Sequence, residues 1–253
     1  MKSDLTGKVS LVTGAARGIG KAIADRLAAS GSTVYYSDRD EVAARPGGRA
    51  LRLDVTSPDE IAAAVRRVEA EAGRLDILVN NAGINTLAHR VTIDEFPRSE
   101  WDRILAVDLT GVYEMSRAFV PLLRRSRGRI INIASIAGLV PLRRQCAFVA
   151  AKAGVVNLTK AMALELGPAG ILVNGIAPGS TLTDGTRKLF YGDDGLFRES
   201  VQRMLDHVAL GRPGEVDEIA VAAQFLADPE NTYMTGHVLV VDGGWTAGYA
   251  RDF

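Results

Sequence analysis

The chain has 253 residues, 30 Lys+Arg against 30 Asp+Glu, and 47% hydrophobic residues. That balance excludes a disordered chain, which couples low hydrophobicity to high net charge, and removes the basic footprint of a nucleic-acid binder. At this length roughly 70–75% of the unfolded surface can be buried, so the core needs no staples.

Residues 8–13 form a short apolar run that stops at a glycine and reads as a buried strand. A helix follows over 19–29, with Ile19, Ile23, Ala24 and Leu27 on one face and Gly31 ending it. Strands are expected over 33–37, closed by Asp38, and over 50–53, closed by Asp54. Ser57-Pro58-Asp59-Glu60 opens a helix with a cap, a first-turn proline and acids near the N-terminus. Then come a strand over 75–79, a long helix over 101–123, a strand over 129–133 and an Ala-rich helix over 150–166. A strand over 171–174, a helix over 215–226 and a strand over 238–241 complete the pattern. This alternation needs crossovers, so the sheet is parallel. The expected architecture is α/β: a single doubly wound, Rossmann-like parallel sheet of about seven strands, with helices on both faces and one domain over 1–253. Residues 181–212 break the alternation, are glycine-rich and charged, and read as a substrate-loop insertion acting as a lid.

The start lacks the apolar stretch of a signal peptide. The longest uncharged apolar stretch, 130–142, is shorter than the ~20 residues a membrane helix needs. The single cysteine, Cys146, cannot form an internal disulfide, fits a reducing cytosol, and reads as a small buried hydrophobe. A cytoplasmic protein with neither membrane nor nucleic-acid partner is expected. Arg124, Arg125, Arg127 and Arg129 sit at a helix end, where cations complement the dipole, and read as a solvated terminus.

Thr13-Gly14-Ala15-Ala16-Arg17-Gly18-Ile19-Gly20 joins the first strand to the first helix. Gly14 permits a sharp turn, Gly18 a close approach to a pyrophosphate, and Gly20 the packing of helix on strand; the helix N-terminus then offers N–H groups and a positive dipole end. Asp38 stands where an acid accepts hydrogen bonds from the adenosine ribose and repels a 2′-phosphate, favouring NAD over NADP. Arg17 and Arg39 complicate that choice, because an arginine can pair with the same phosphate.

With these motifs in order, the chain resembles the short-chain dehydrogenase/reductase family over about residues 8–246. The shared features are the glycine turn, Asp54-Val55, Asn80-Asn81-Ala82-Gly83, Ser135, Lys152, the run from Pro178 to Thr183, and Asp242-Gly243-Gly244. The resemblance implies Asp54-Val55 at the adenine and Asn81-Ala82-Gly83 along the riboses. It also implies Pro178, Gly179, Thr181 and Thr183 around the nicotinamide, and a structural turn at Asp242. Ser135 matches the family serine that hydrogen-bonds the reacting oxygen, and Lys152 the lysine that grips the nicotinamide ribose.

Two positions depart from the pattern. The family's Tyr-x-x-x-Lys pair places both side chains on one helix face, where the lysine lowers the tyrosine pKa from about 10. Here that frame reads Phe148-Val149-Ala150-Ala151-Lys152, and phenylalanine has no proton to exchange. The family's asparagine position is Asp108, which faces Lys152 with a negative charge. General acid–base catalysis contributes ~10²–10⁴-fold, roughly 3–5 kcal/mol of barrier. Four readings stay open: a silenced dehydrogenase; a substitute proton donor such as a Ser135–water–Lys152–Asp108 relay; a nucleotide-binding sensor or scaffold without redox chemistry; and a different reaction.

His89, His207 and His237 are scattered, no group has zinc-ligand spacing, and no Gly-x-Ser-x-Gly elbow is present. The expected substrate is a small alcohol or ketone, walled by residues 85–89, 136–148 and 181–212. Arg143, Arg144, Gln145, Arg187 and Lys188 in those segments suit a polar or anionic molecule or a subunit contact. The tail after Gly244 loosely resembles those of polyol dehydrogenases. The resemblance implies a homotetramer built on residues 101–123, 150–166 and 238–241.

Overall fold

Short strands buried on both faces must be covered twice, and the helices between them do the covering. The computed structural model describes residues 3–43, 47–85, 90–183, 186 and 199–248. β1 (Val9–Thr13) runs through the glycine turn into α1 (Gly18–Ala29). β2 (Thr33–Asp38) and β3 (Gly48–Arg52) follow. In α2 (Pro58–Ala72) the Ser57 hydroxyl accepts the Glu60 N–H, and Gly73 ends the helix in the left-handed region. β4 (Ile77–Asn80) precedes α3 (Arg98–Leu105), a wide π-turn (Ala106–Thr110) and α4 (Gly111–Ser126). Then come β5 (Arg129–Ile133), α5 (Cys146–Leu166), β6 (Leu172–Pro178) and β7 (Thr181–Leu182). α6 (Glu199–Leu205), β8 (Gly214–Glu215), α7 (Val216–Ala227) and β9 (Val238–Val241) complete the chain order.

Seven strands form one sheet in the order β3-β2-β1-β4-β5-β6-β9, every pairing parallel. Neighbouring strand residues serve opposite faces, as a period of two requires. Val12, Val34 and Ile131 pack with Ile23 and Leu27 of α1 and with Ile219 and Leu226 of α7. Leu11, Tyr35 and Ile130 pack with Val68 of α2, Phe119 and Leu122 of α4, and Met162 of α5. This is the doubly wound, Rossmann-like α/β sheet expected from the alternation.

Several boundaries differ from the sequence expectation. The helix expected over 101–123 is a longer rod interrupted by the π-turn that carries Asp108. The helix expected from residue 150 starts at Cys146, which is half-buried in its first turn rather than buried in the core. α5 has the length and apolarity to cross a bilayer, yet it packs on β6 and places Lys152 in a buried ion pair. β6 runs on to Pro178 because Gly175–Pro178 pair with Val238–Val241. Within 181–212, β7 pairs with β8 and α6 adds a helical turn, so the described part is not simply loop. Residues 184–185 and 187–198 of the expected lid lie outside the described residues. The arginine run is tied down in part: Arg125 pairs with Glu69 at 2.7 Å, and Arg129 donates to the carbonyls of Pro229 and Asn231.

α7 locks α1 against the sheet, since Arg26 donates to Gln224 Oε1 at 2.7 Å and Gln224 donates to Ser30 at 2.8 Å. α7 itself begins with a reciprocal capping box between Glu215 and Glu218. Hydrogen bonds from Arg212, then from the Glu215 N–H, hold the Glu218 carboxyl down at about 2. A depressed carboxylate adds stability above its ordinary value and loses it as pH falls toward the folded value. Glu218→Gln should therefore melt earlier than wild type at pH 7, by about 1 kcal/mol or less because the pair is largely exposed. The gap should close between pH 4.5 and pH 2; a gap constant over that range would contradict the assignment.

Candidate active site

The strand order reverses between β1 and β4, and in open parallel sheets the crevice beyond that point receives ligands. Two side chains stitch the loops there. Thr13 Oγ1 accepts the N–H groups of Asn81 at 2.9 Å and Ala82 at 3.0 Å. Asn81 Nδ2 donates to the carbonyls of Thr13 at 2.9 Å and Gly14 at 3.2 Å. The turn closes so tightly that a Cβ on Gly20 would lie 2.2 Å from the Gly14 carbonyl oxygen. Gly18 has φ +57°, and a Cβ there would meet Thr183 across the mouth.

The N-terminus of α1 is uncapped by any side chain and has no acid in its first turn. α2 and α7, by contrast, carry side-chain caps and first-turn acids. First-turn N–H groups without a capping side chain, at the positive end of a helix and beside a glycine turn, suit a phosphate. That chemistry fits a dinucleotide.

A cleft of about 1410 Å³ opens from this turn. Its near end is lined by Gly14, Arg17, Ile19, Gly20, Asp38 and Arg39, with Asp54 and Val55 beside them. Gly18 sits in the same turn, opposite Thr183, which lines the cleft. Asp38 accepts the N–H groups of Ala16 and Asp40, each at 3.1 Å, which fixes its carboxylate. Arg17 and Arg39 both lean on exposed Asp40, at 3.7 and 3.8 Å. Asp54 is held below the usual carboxylate range by the Thr56 hydroxyl at 2.7 Å and the Thr56 N–H at 2.8 Å.

The middle of the cleft is walled by Asn81, Ala82 and Gly83 just after β4 and by Pro178 at the end of β6 with Gly179, Thr181 and Thr183 beyond it. Gly179 is anchored to the Val241 carbonyl at 2.9 Å, and Thr183 is bracketed by Thr186. Asp242 accepts from Gly244 and Thr246, forming a turn outside the cleft.

Ser135, Phe148, Lys152 and Asp108 meet at the far end. Ser135 Oγ accepts the Ala137 N–H at 3.1 Å, which fixes the hydroxyl on the wall. Lys152 Nζ donates to the Ile133 carbonyl at 3.0 Å and lies 3.2 Å from Asp108 Oδ2. The Ile84 N–H donates to Asp108 Oδ1 at 2.8 Å. Burial pushes the Asp108 carboxyl upward, opposed chiefly by the Lys152 charge. The half-buried Phe148 ring has its centroid 5.7 Å from Nζ.

The cleft also takes in Asp40, Arg90, Arg103 and Trp245, which the sequence reasoning did not assign to it, and Met204, which it covered only within the 181–212 segment. Arg103 lies one turn before Asp108 on the same rod and was the most accessible of these to pattern reading. Met204 and Trp245 reach the cleft by tertiary packing and carry no local signal. Of the expected substrate walls, residues 86–89 lie outside the described residues.

Fold and cleft together define a doubly wound α/β protein whose cleft beyond the strand ends is lined by polar and charged residues. A family model described as enoyl-(acyl carrier protein) reductase matches residues 14–246. The chain is 41% identical over 249 residues to 3-oxoacyl-[acyl-carrier-protein] reductase FabG of Vibrio cholerae, covering 95% of this chain and 98% of that protein. It is 40% identical over 263 residues to trans-4-hydroxycyclohexanecarboxylate dehydrogenase of Sinomonas cyclohexanicum, covering 95% and 93%. The ligand-free aldohexose dehydrogenase of Thermoplasma acidophilum matches with a TM-score of 0.91 at 32% identity, covering 100% and 99%. The chain belongs to the short-chain dehydrogenase/reductase family.

Gly20→Ala tests the turn. The added methyl meets the Gly14 backbone as well as the Asn81 side chain, so α1 must shift, at a cost of ~1–3 kcal/mol. An unchanged melting temperature would contradict the packing described.

Proposed function

We propose that the chain binds a nicotinamide dinucleotide, NAD in preference to NADP, and carries out hydride transfer with a small polar or anionic alcohol or ketone. The observation that supports this most is the single cleft joining the uncapped α1 terminus to Ser135, Phe148 and Lys152. The dinucleotide, when bound, supplies the hydride chemistry, and the protein positions and polarises. In this reading the first-turn N–H groups of α1 take the pyrophosphate. Asp38 accepts from the ribose hydroxyls, while its charge disfavours a 2′-phosphate. Arg17 and Arg39 lean toward Asp40, which also supports NAD.

At the far end Ser135 would orient the reacting oxygen, and Lys152 would hold ribose hydroxyls from the wall. Phe148 packs against substrate but transfers no proton, so turnover should be slower than a phenol would allow by ~10²–10⁴-fold. Arg90, Arg103 and Arg143 line the same region and support a polar or anionic substrate. A second reading, an NAD-binding sensor or scaffold without turnover, is favoured by Phe148 itself.

Titration with NADH and NADPH, followed by nicotinamide fluorescence, should give NADH the tighter binding by about tenfold, a difference near 1.4 kcal/mol. Asp38→Ala should narrow that ratio. Tighter NADPH would reverse the cofactor assignment, and binding of neither would overturn the reading. With NAD present, a panel of hydroxy acids, sugar alcohols and small secondary alcohols should give slow NADH formation. Tight NADH binding with no turnover on any of them would leave the sensor reading.

We also propose a homotetramer. Tyr113 on α4, Leu164 on α5, which is 81% exposed, and Val240 on β9 are apolar side chains on the three elements implied for assembly. Sedimentation should report four copies at micromolar concentration; a monomer would refute this.

A further inference from the structure

We infer that Asp108 and Phe148 are a matched pair: the carboxylate supplies the counter-charge that Lys152 needs because residue 148 offers none, and this closes the far wall of the cleft as a neutral ion pair. Asp108 is thus a positioning residue for Lys152.

The Lys152 side chain is only 6% exposed. An ammonium that deep must be paired as well as hydrogen-bonded. The Ile133 carbonyl at 3.0 Å satisfies one donor but carries no charge. The Phe148 ring, 5.7 Å away, offers only its quadrupole. Asp108 at 3.2 Å is the carboxylate on the spot, and it is itself fully buried. The pair is boxed on its remaining sides. The Ile84 N–H takes Oδ1, and a Cβ on Gly83 would come within 3.0 Å of Oδ2 and 3.4 Å of Nζ. On α3, Arg103 is the next cation toward Asp108, but its guanidinium is gripped by Glu100 through two bonds of 2.8 Å. Arg90 and Arg143 also line the cleft that Asp108 and Lys152 line. The π-turn places Asp108 at this point of the rod.

A consequence follows for residue 148. A phenol introduced there would stand beside a lysine whose charge is already cancelled. A neighbouring cation lowers a phenol pKa, but a neutral pair does so far less. Phe148→Tyr alone should therefore not yield a phenol poised for proton exchange near neutral pH. Removing the carboxylate charge as well, with Asp108→Asn, should.

The test introduces Phe148→Tyr with Asp108 intact and with Asp108→Asn. Asparagine keeps an oxygen for the Ile84 N–H. The added phenol is titrated by phenolate absorbance, as the difference between each variant and its Phe148 counterpart. With Asp108 present it should titrate at or above about 10, and with Asp108→Asn about one to two pH units lower. The same titration point in both backgrounds would overturn the inference. Melting curves give a second readout. Asp108→Asn should lower the melting temperature strongly when residue 148 is phenylalanine, because Lys152 is left uncompensated. In the Phe148→Tyr background, at a pH above the phenol's own titration, the loss should be smaller. A double variant as unstable as Asp108→Asn alone would also overturn it. The inference deepens the functional reading above, but both measurements are made without nucleotide. Failure to bind NADH and failure of this coupling are therefore separate results.

Discussion

Everything at the site depends on the reversal of strand order between β1 and β4. A parallel sheet needs helices on both faces, and crossovers that leave in opposite directions from the two strands part their following loops. The parted loops expose the carboxyl ends of β1 and β4, and the chain must hold them open without leaving backbone groups unpaired. Thr13 and Asn81 do this by bonding each other's main chain across the gap. The glycine turn can then lie against Ala82, and α1 can point its uncapped end into the cleft.

The far end of the cleft relies on a buried polar network beneath it. Asn80 on β4 donates to Ser116 on α4 and to Asn132 on β5, and Asn132 donates to Thr159 on α5. Ser116 and Thr159 pass their own protons to helix carbonyls one turn back, those of Val112 and Val155. These bonds fix α4 and α5 relative to the sheet. Asp108 enters α4 and Lys152 lies two turns before Thr159, so the network also sets the separation of the ion pair. Buried polar networks specify geometry as well as contributing stability, although here Asn80 Oδ1 is left without a partner.

Much of this was legible in the sequence, and the reasons differ by residue. The strands could be read because short apolar runs ended at Gly14, Asp38, Asp54 and Asn80–Gly83, residues that turns favour. The glycine turn could be read because phosphate contact restricts which residues fit. The π-turn could not: a widened backbone ring leaves no trace in side-chain periodicity, so the backbone around Asp108 read as regular helix. β6 could not be followed past Asn174, because Gly175 and Pro178 usually break strands. Both are tolerated here where the strand runs beside β9 and ends. Asp108 and Phe148 were each visible as departures from a family pattern. Their physical connection needed the 3.2 Å contact and its burial, which no spacing along the chain encodes.

Lysine has three donors, and this separates two duties that a phenol–lysine pair would combine. Lys152 is ion-paired with Asp108 and gives one donor to the Ile133 carbonyl, which leaves donor capacity for a group in the cleft. Gripping a polar ligand therefore survives the loss of a phenol at residue 148, because it draws on a donor that neither Asp108 nor Phe148 controls. Proton exchange does not survive in the same way, because it needs a group whose charge can change. Phe148 has no such group, and at Asp108 burial pushes the carboxyl upward against the Lys152 charge. In the proposed function, this leaves Lys152 able to hold a ligand in the cleft while Phe148 offers no proton beside it. In the proposed function, Ser135 is the hydroxyl assigned to the reacting oxygen.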